Sequence, residues 1–190
     1  MGEIVIRTSG LVMDYGKVRA LDGVDLEVER GEVFGFLGPN GAGKTTTIRI
    51  LLDLLRPSAG RAEVLGTTPR EGGPELRARI GYLPGDLTMN GRLTARALLT
   101  HLANLRAGAG ADRIAPLAER FGLELDRGFR GLSKGNRQKV GVVQAFMHEP
   151  ELLILDEPTS GLDPLLQREM LDLVLEAREK GATVASVMAS

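Results

Sequence analysis

The stretch Val33-Phe34-Gly35-Phe36-Leu37-Gly38-Pro39-Asn40-Gly41-Ala42-Gly43-Lys44-Thr45-Thr46 decides the fold. Its first residues, Val33 to Leu37, form a short apolar run that reads as a strand buried on both faces. From Thr45 to Leu55, Ile48, Ile50, Leu51, Leu52, Leu54 and Leu55 cluster at helical spacing until Pro57-Ser58-Ala59-Gly60 stops the helix. Between strand and helix, Gly38 to Thr45 fits G-x-x-x-x-G-K-[ST], a pattern whose value depends on that flanking context. Glycines let a backbone close around phosphate oxygens, while loop amides and the helix N-terminus present partial positive charge. Lys44 is then placed to reach the β- and γ-phosphates of a nucleotide, and the Thr45 hydroxyl to ligate Mg²⁺. The expected nucleotide contacts are Gly38, Pro39, Asn40, Gly41, Ala42, Gly43, Lys44, Thr45 and Thr46. A loop of this kind implies nucleoside triphosphate binding and does not choose among kinases, GTPases and motor ATPases.

A second apolar run, Leu152-Leu153-Ile154-Leu155, ends in Asp156-Glu157. A strand there puts Asp156 at the carboxyl edge of a parallel sheet, where the ligands of α/β folds collect. Asp156 is expected to hold Mg²⁺ through water. Glu157, next along, is expected to serve as general base or water-orienting group for hydrolysis.

Outward from these two strands, Glu3–Arg7 and Val24–Glu29 mix apolar and charged residues in near alternation and predict an outer antiparallel sheet. Ala62–Leu65 and Ile80–Leu83 are further strand candidates, with a short helix over Glu75–Arg79. From Gly85 to about Phe129 the pattern turns helical, with Leu93–Leu105 and Asp112–Phe121 separated by Gly108-Ala109-Gly110-Ala111. Helices over Ser133–Met147 and Pro164–Lys180 and a strand over Ala182–Val187 complete an alternating order. The expectation is an α/β fold: a P-loop NTPase core with a mostly parallel sheet, an N-terminal antiparallel β-subdomain and an inserted helical subdomain. Residues 1–190 form one domain in this reading, with 1–84 and 150–190 as core and 85–149 as helical subdomain.

A chain of 190 residues is long enough for one real core. Its 43% hydrophobic and 26% charged residues are ordinary globular usage, which excludes disorder, collagen-like repeats and coiled coil. Lys plus Arg is 24 against 25 for Asp plus Glu, so no basic excess argues for nucleic acid or anionic lipid. Without cysteine there is neither a disulfide framework nor a thiolate metal site. No stretch reaches the roughly 18 apolar residues of a membrane span, and Met1–Ser9 lacks an apolar signal core. No direct membrane span is expected.

Leu132-Ser133-Lys134-Gly135-Asn136, followed by Arg137-Gln138-Lys139, lies just upstream of the Asp156-Glu157 strand. Ser133 is placed to cap a helix whose free amides and dipole suit an anion, and Gly135 permits close approach, which makes a second phosphate grip. Together with the 38–45 loop, the Asp156-Glu157 strand and Ser160-Gly161-Leu162-Asp163, these residues resemble the nucleotide-binding domain of ATP-binding cassette (ABC) transporters, from about Ile4 to Val187. Residues 132–136 are similar to that family's LSGGQ signature and 160–163 to its D-loop. The resemblance implies ATP with Mg²⁺, and a signature that grips ATP bound to another protomer's phosphate loop, so that two chains sandwich two ATP molecules. Glu157, Lys44, Ser133 and Gly135 form the catalytic set it implies. Tyr15, in Asp14-Tyr15-Gly16-Lys17, matches the family's aromatic that stacks on adenine. Also implied is an ATPase subunit, a homodimer, that drives a separate transmembrane permease from the cytoplasm, peripheral on the inner face of the cell membrane. LSKGNRQK and Tyr82-Leu83-Pro84-Gly85-Asp86 look most like exporter ATPases of the antibiotic-resistance type.

Four features depart from the family pattern. Lys134 and Asn136 replace the Gly and Gln of the signature. Gly85-Asp86 stands where the family usually has a Gln that touches Mg²⁺, and Asp86 is the candidate substitute. The family's switch His after the last strand has no counterpart in Thr183–Ser190, and His101 and His148 are expected on solvated surface. The further strands and helices with which the family continues are also missing, which reads as a C-terminally shortened domain. These last two departures suggest an alternative function, an ATP-dependent dimerisation and docking module with little or no hydrolysis. Soluble ABC proteins of translation or DNA repair would require two cassettes in one chain or a long coiled-coil insertion, and neither is in the sequence.

Overall fold

The computed structural model describes residues 2–39, 41–88 and 93–187. Its elements run β1 (Ile4–Tyr15), β2 (Val18–Glu29), β3 (Val33–Phe36), α1 (Lys44–Leu51), β4 (Ala59–Val64), α2 (Pro69–Ala78), β5 (Ile80–Leu83), α3 (Ala95–Asn104), α4 (Ile114–Arg120), α5 (Lys134–Phe146), β6 (Leu152–Asp156), α6 (Pro164–Glu179) and β7 (Thr183–Val187). One sheet is antiparallel, in the order β2-β1-β4, and the other is parallel, in the order β3-β7-β6-β5. The α/β expectation, with an N-terminal antiparallel sheet and a parallel sheet bearing helices, holds.

The β1–β2 hairpin is much longer than its sequence pattern suggests. Ile4 pairs with Glu29 at the open end, where alternation is clean, and pairing then continues to Tyr15 opposite Val18. Gly10 and Gly23 interrupt the alternation in the far half. Both take positive φ, 55° and 70°, and the register shifts between Thr8 and Leu11, so the glycines serve as bulges within the strands rather than as strand ends.

Between the two sheets, Val5, Ile6, Leu11, Val28 and Val64 meet Ile48 and Leu51 of α1 and Leu152, Ile154 and Ala185 of the parallel sheet. On the opposite face of that sheet, Leu153, Leu155 and Val184 pack against Val142, Val143 and Phe146 of α5 and Met170 and Leu173 of α6. β6 is thus buried along its whole length, and its alternate residues serve two cores, as the two-residue period of a strand requires. Leu98, Leu99, Ile114, Leu117 and Phe121 join α3 and α4 to the second core.

Two of the predicted elements differ in ways that matter. Val33 to Leu37, expected to be buried on both faces, is an edge strand: β3 pairs with β7 alone among the described residues, Val33 is 43% exposed, and Leu37 lies beyond the strand. An apolar run reports burial only if neighbours exist on both sides, which a local pattern does not specify. The first helix stops at Leu51 rather than Leu55 because Asp53 enters the left-handed region at φ 59°, and Leu54 N then bonds back to Arg49 O at 2.8 Å.

The other edge, β5, is covered by α5. Gly81 lets that helix approach so closely that a Cβ there would lie 2.1 Å from Ala145 O. Gln144 Nε2 donates to Tyr82 O, and His148 Nε2 to Ile80 O at 3.2 Å. Four residues of helix advance about 6 Å and two residues of strand about 6.6 Å, so the two side chains match alternate carbonyls of the strand edge. His148 is therefore not on solvated surface: burial pushes its imidazole down to about 4, and the ring is neutral at pH 7. His101 is exposed, as expected. Among the described residues no helix is long and apolar enough to cross a membrane.

Candidate functional site

α1 begins at Lys44 behind Gly43, which adopts φ 82° and offers no side-chain cap. Glycine is required there twice over. The conformation is left-handed, and a Cβ would fall 2.3 Å from Leu21 Cδ2 and 2.6 Å from Ala20 O. Strand β2 of the outer sheet thus braces the loop from outside, leaving the amides at the start of α1 free to face an anion. Lys44 Nζ donates to Gly38 O and, at 3.1 Å, to Pro39 O. Gly41, Ala42, Gly43, Lys44, Thr45 and Thr46 line one cleft of about 290 Å³ with Ala20, Asp156, Glu157 and Val187. Asn40 lies outside the described residues. Tyr15, 44% exposed at the hairpin turn, is not among the residues lining this cleft.

At the carboxyl end of β6, Asp156 is buried and accepts a hydrogen bond from Thr45 Oγ1 at 3.4 Å. Burial raises the Asp156 carboxyl above its ordinary range, and the Thr45 hydrogen bond partly offsets that. A hydroxyl and a carboxylate held face to face beside a phosphate cradle suit Mg²⁺, which takes one or two protein oxygens and completes its shell with water and phosphate. Glu157 follows at φ 50°, a costly conformation for a residue with a Cβ, and its N–H donates to Val187 O at 2.9 Å. Backbone strain of this kind turns the Glu157 side chain out of the strand and into the cleft wall.

The residue that abuts Asp156 from the loop after β5 is Gly85, where a Cβ would lie 3.6 Å from Asp156 Cγ. Asp86, one residue on, is exposed. It does not complete a three-residue ligand cluster among the described residues.

Ser133 caps α5, its Oγ accepting Asn136 N–H at 3.2 Å. Gly135 lies against the 160–163 turn, so closely that a Cβ would sit 2.7 Å from Gly161 O. Neither Ser133 nor Gly135 lines the cleft that holds Lys44 and Glu157. Asp163 caps α6, its Oδ1 accepting from Leu165 and Leu166 N–H at 3.0 Å each. Two sets of residues escaped the sequence reading. Ala20 and Leu21 carry no motif. Gln138 is only 3% exposed, and its Nε2 donates to Glu157 O at 3.4 Å and Pro158 O at 3.3 Å. Its signal is in the sequence: a polar residue one helical turn beyond Gly135, on the face that otherwise goes inward.

A glycine loop at a helix N-terminus, facing an acid at the end of a parallel strand, defines the P-loop NTPase class of α/β fold. A family model described as ABC transporter matches residues 21–160, and the chain belongs to that family. It is 39% identical over 188 residues to the probable multidrug ABC transporter ATP-binding protein YbhF of Escherichia coli (strain K12), covering 96% of this chain and 32% of that protein. With the daunorubicin resistance ATP-binding protein DrrA3 of Streptomyces coeruleorubidus it shares 43% identity over 193 residues, covering 97% and 60%. The chain therefore spans 32% to 60% of the length of these curated relatives. Among solved structures, an ATP-binding subunit of an ABC transporter superposes with a TM-score of 0.90 at 32% identity, covering 97% of this chain and 79% of that one. A nucleotide-free ATP-binding cassette from an ABC transporter gives 0.79 at 25% identity, covering 97% and 81%.

Proposed function

We propose that this chain binds Mg-ATP on the 38–46 loop and hydrolyses it within a two-chain assembly, driving a separate transmembrane permease of the exporter type. The observation that carries this reading is the convergence of Lys44, Thr45, Asp156 and Glu157 on one cleft. The loop amides and Lys44 orient the phosphates, and Gly43 fixes the direction of those amides. Thr45 and Asp156 would hold Mg²⁺, and the ion would supply charge neutralisation at the transferred phosphoryl group. Glu157 orients the attacking water and accepts its proton at a carboxylate oxygen. Ser133 and Gly135, remote from this cleft, supply their helix N-terminus to the γ-phosphate held by a second copy of the chain, and receive the same service in return. Tyr15 would stack on the adenine, and Asp86 would stand in for the family's Mg²⁺-touching Gln.

In this reading residues 1–84 and 150–190 are the nucleotide-binding core, and 85–149 form the helical subdomain that carries the signature and docks on the permease. Export is supported by the names of the relatives, which include multidrug and daunorubicin resistance proteins. The work is done at the cytoplasmic face of the cell membrane, where ATP is available and the permease is within reach.

The test is steady-state Mg-ATP hydrolysis across a range of protein concentrations, with ATP binding measured in parallel. Turnover per chain is expected to rise with concentration and to be lost in Glu157→Gln, with binding retained. Binding with no turnover at any concentration, even beside the permease, would leave an ATP-dependent docking module instead.

A further inference from the structure

Helix α5 carries the signature at its N-terminus and touches the loop after Glu157 at two points within one turn. Gly135 and Gln138, three residues apart, share one helical face. Gly135 rests on Gly161 O, and Gln138 Nε2 reaches Glu157 O and Pro158 O. Both partners of the amide are carbonyls, so its nitrogen must face them; turned over, its oxygen would oppose two acceptors.

The catalytic acid has reason to need this support. Glu157 sits at φ 50°, where a side chain is strained and persists only if its surroundings over-determine it. Its N–H is taken by Val187 O at 2.9 Å, and its carbonyl receives Ser160 N–H at 3.0 Å as well as Gln138. Of these anchors, Gln138 alone is a side chain, and it alone belongs to the signature helix.

We infer that Gln138 is a positioning residue: it fixes the backbone of Glu157 to the signature helix, so that an anion seated at Ser133 and Gly135 sets the aim of the catalytic carboxylate in the same chain. The two half-sites of one chain, which face different ATP molecules in the assembly, then communicate through a single buried amide. The inference rests on the proposed function for the role of Glu157, but not for the contact itself.

Gln138→Met keeps the length and burial of the side chain and removes its donor. Gln144→Met makes the same change on the same helix, at the amide that covers Tyr82 O away from the cleft. With Gln138→Met, kcat for ATP is expected to fall roughly ten- to a hundred-fold while ATP affinity stays within about two-fold, since small misplacements of a catalytic group cost rate rather than binding. Gln144→Met is expected to keep kcat within about two-fold of the parent. Parental kcat in Gln138→Met beside an inactive Glu157→Gln would overturn the inference and leave the function standing. Equal losses of kcat in the two methionine variants would also overturn it, by showing a general loosening of α5. Should the parent itself show no turnover, the functional reading fails, and amide hydrogen exchange over residues 157–162 decides the contact. Faster exchange there in Gln138→Met supports the anchor, and unchanged exchange refutes it.

Discussion

The two helix N-termini proposed to meet an anion are finished differently. α1 opens on Gly43, left-handed and without a side-chain cap, and its first turn looks into a cleft walled by Asp156 and Glu157. α5 opens on Ser133, whose own hydroxyl already satisfies Asn136 N–H, and it lies outside that cleft. At the first, no side-chain cap has to leave before a phosphate can take the helix amides. At the second, an anion that takes Asn136 N–H must displace the serine cap, worth about 0.5–2 kcal/mol, while the other amides of the first turn carry no such cap. Under the proposed function the phosphate loop would be the primary binding site, and the signature a weaker grip that registers the arrival of a second loaded chain.

The largest expected effects are those that break the first grip. Lys44→Ala should lower ATP turnover by at least about 100-fold, because it removes the side-chain charge that the proposed function places on the phosphates. Glu157→Gln should lower turnover by about 100- to 10,000-fold, the usual range for a general base, and leave ATP binding intact. Isothermal titration beside a phosphate-release assay separates the two variants.

Alanine at the two glycines sharpens the contrast. Gly43→Ala meets Leu21 and Ala20 O at φ 82° and should abolish nucleotide binding while costing about 2–4 kcal/mol of stability. Gly135→Ala meets only Gly161 O, so ATP affinity of the single chain should survive while turnover falls by about ten-fold. Denaturant melts and binding measured on the same samples would show whether the glycines differ in this way. Ser133→Ala is milder: a loss of about 1 kcal/mol in stability from the missing cap, again with binding to the single chain unchanged.

The smallest effect lies at the far end of α5. Burial pushes the His148 imidazole from its ordinary 6.5 down to about 4 in the folded chain, so in falling pH the unfolded chain takes up its proton first. Its contribution to stability is complete above about 6.5 and fades as the pH drops toward 4. His148→Gln should flatten that part of the pH profile, by several degrees in Tm near pH 4, and leave ATP turnover at pH 7.5 unchanged.

Much of this was legible in the chain itself, and the reason is physical. The 38–45 loop, the Asp156-Glu157 strand and the 132–136 turn are local devices, each a few residues whose backbone and charge act together, so a linear reading finds them. Strand β6 was legible for the same reason, as a continuous apolar run with neighbours on both sides. β3 looked identical in sequence and is an edge, because its neighbours are set by the order in which distant strands pair. Ala20 and Leu21 brace Gly43 across more than twenty residues of chain, and nothing in a window around either announces it. Gln138 and His148 are the instructive pair. Gln138 on α5 and His148 just beyond its end are polar residues that face inward, and what they meet, the Glu157 carbonyl after β6 and the Ile80 carbonyl of β5, comes from distant parts of the chain.

The most direct measurement mixes two inactive chains. Lys44→Ala retains its signature, and a Ser133→Arg variant retains its phosphate loop and Glu157, so a heterodimer of the two contains one complete site. The account predicts that ATP turnover, absent from either variant alone, returns on mixing to about a quarter of the parental rate, one intact site in half of the dimers. No recovery at any ratio or concentration, with both variants folded and Ser133→Arg still binding ATP, would contradict a shared site.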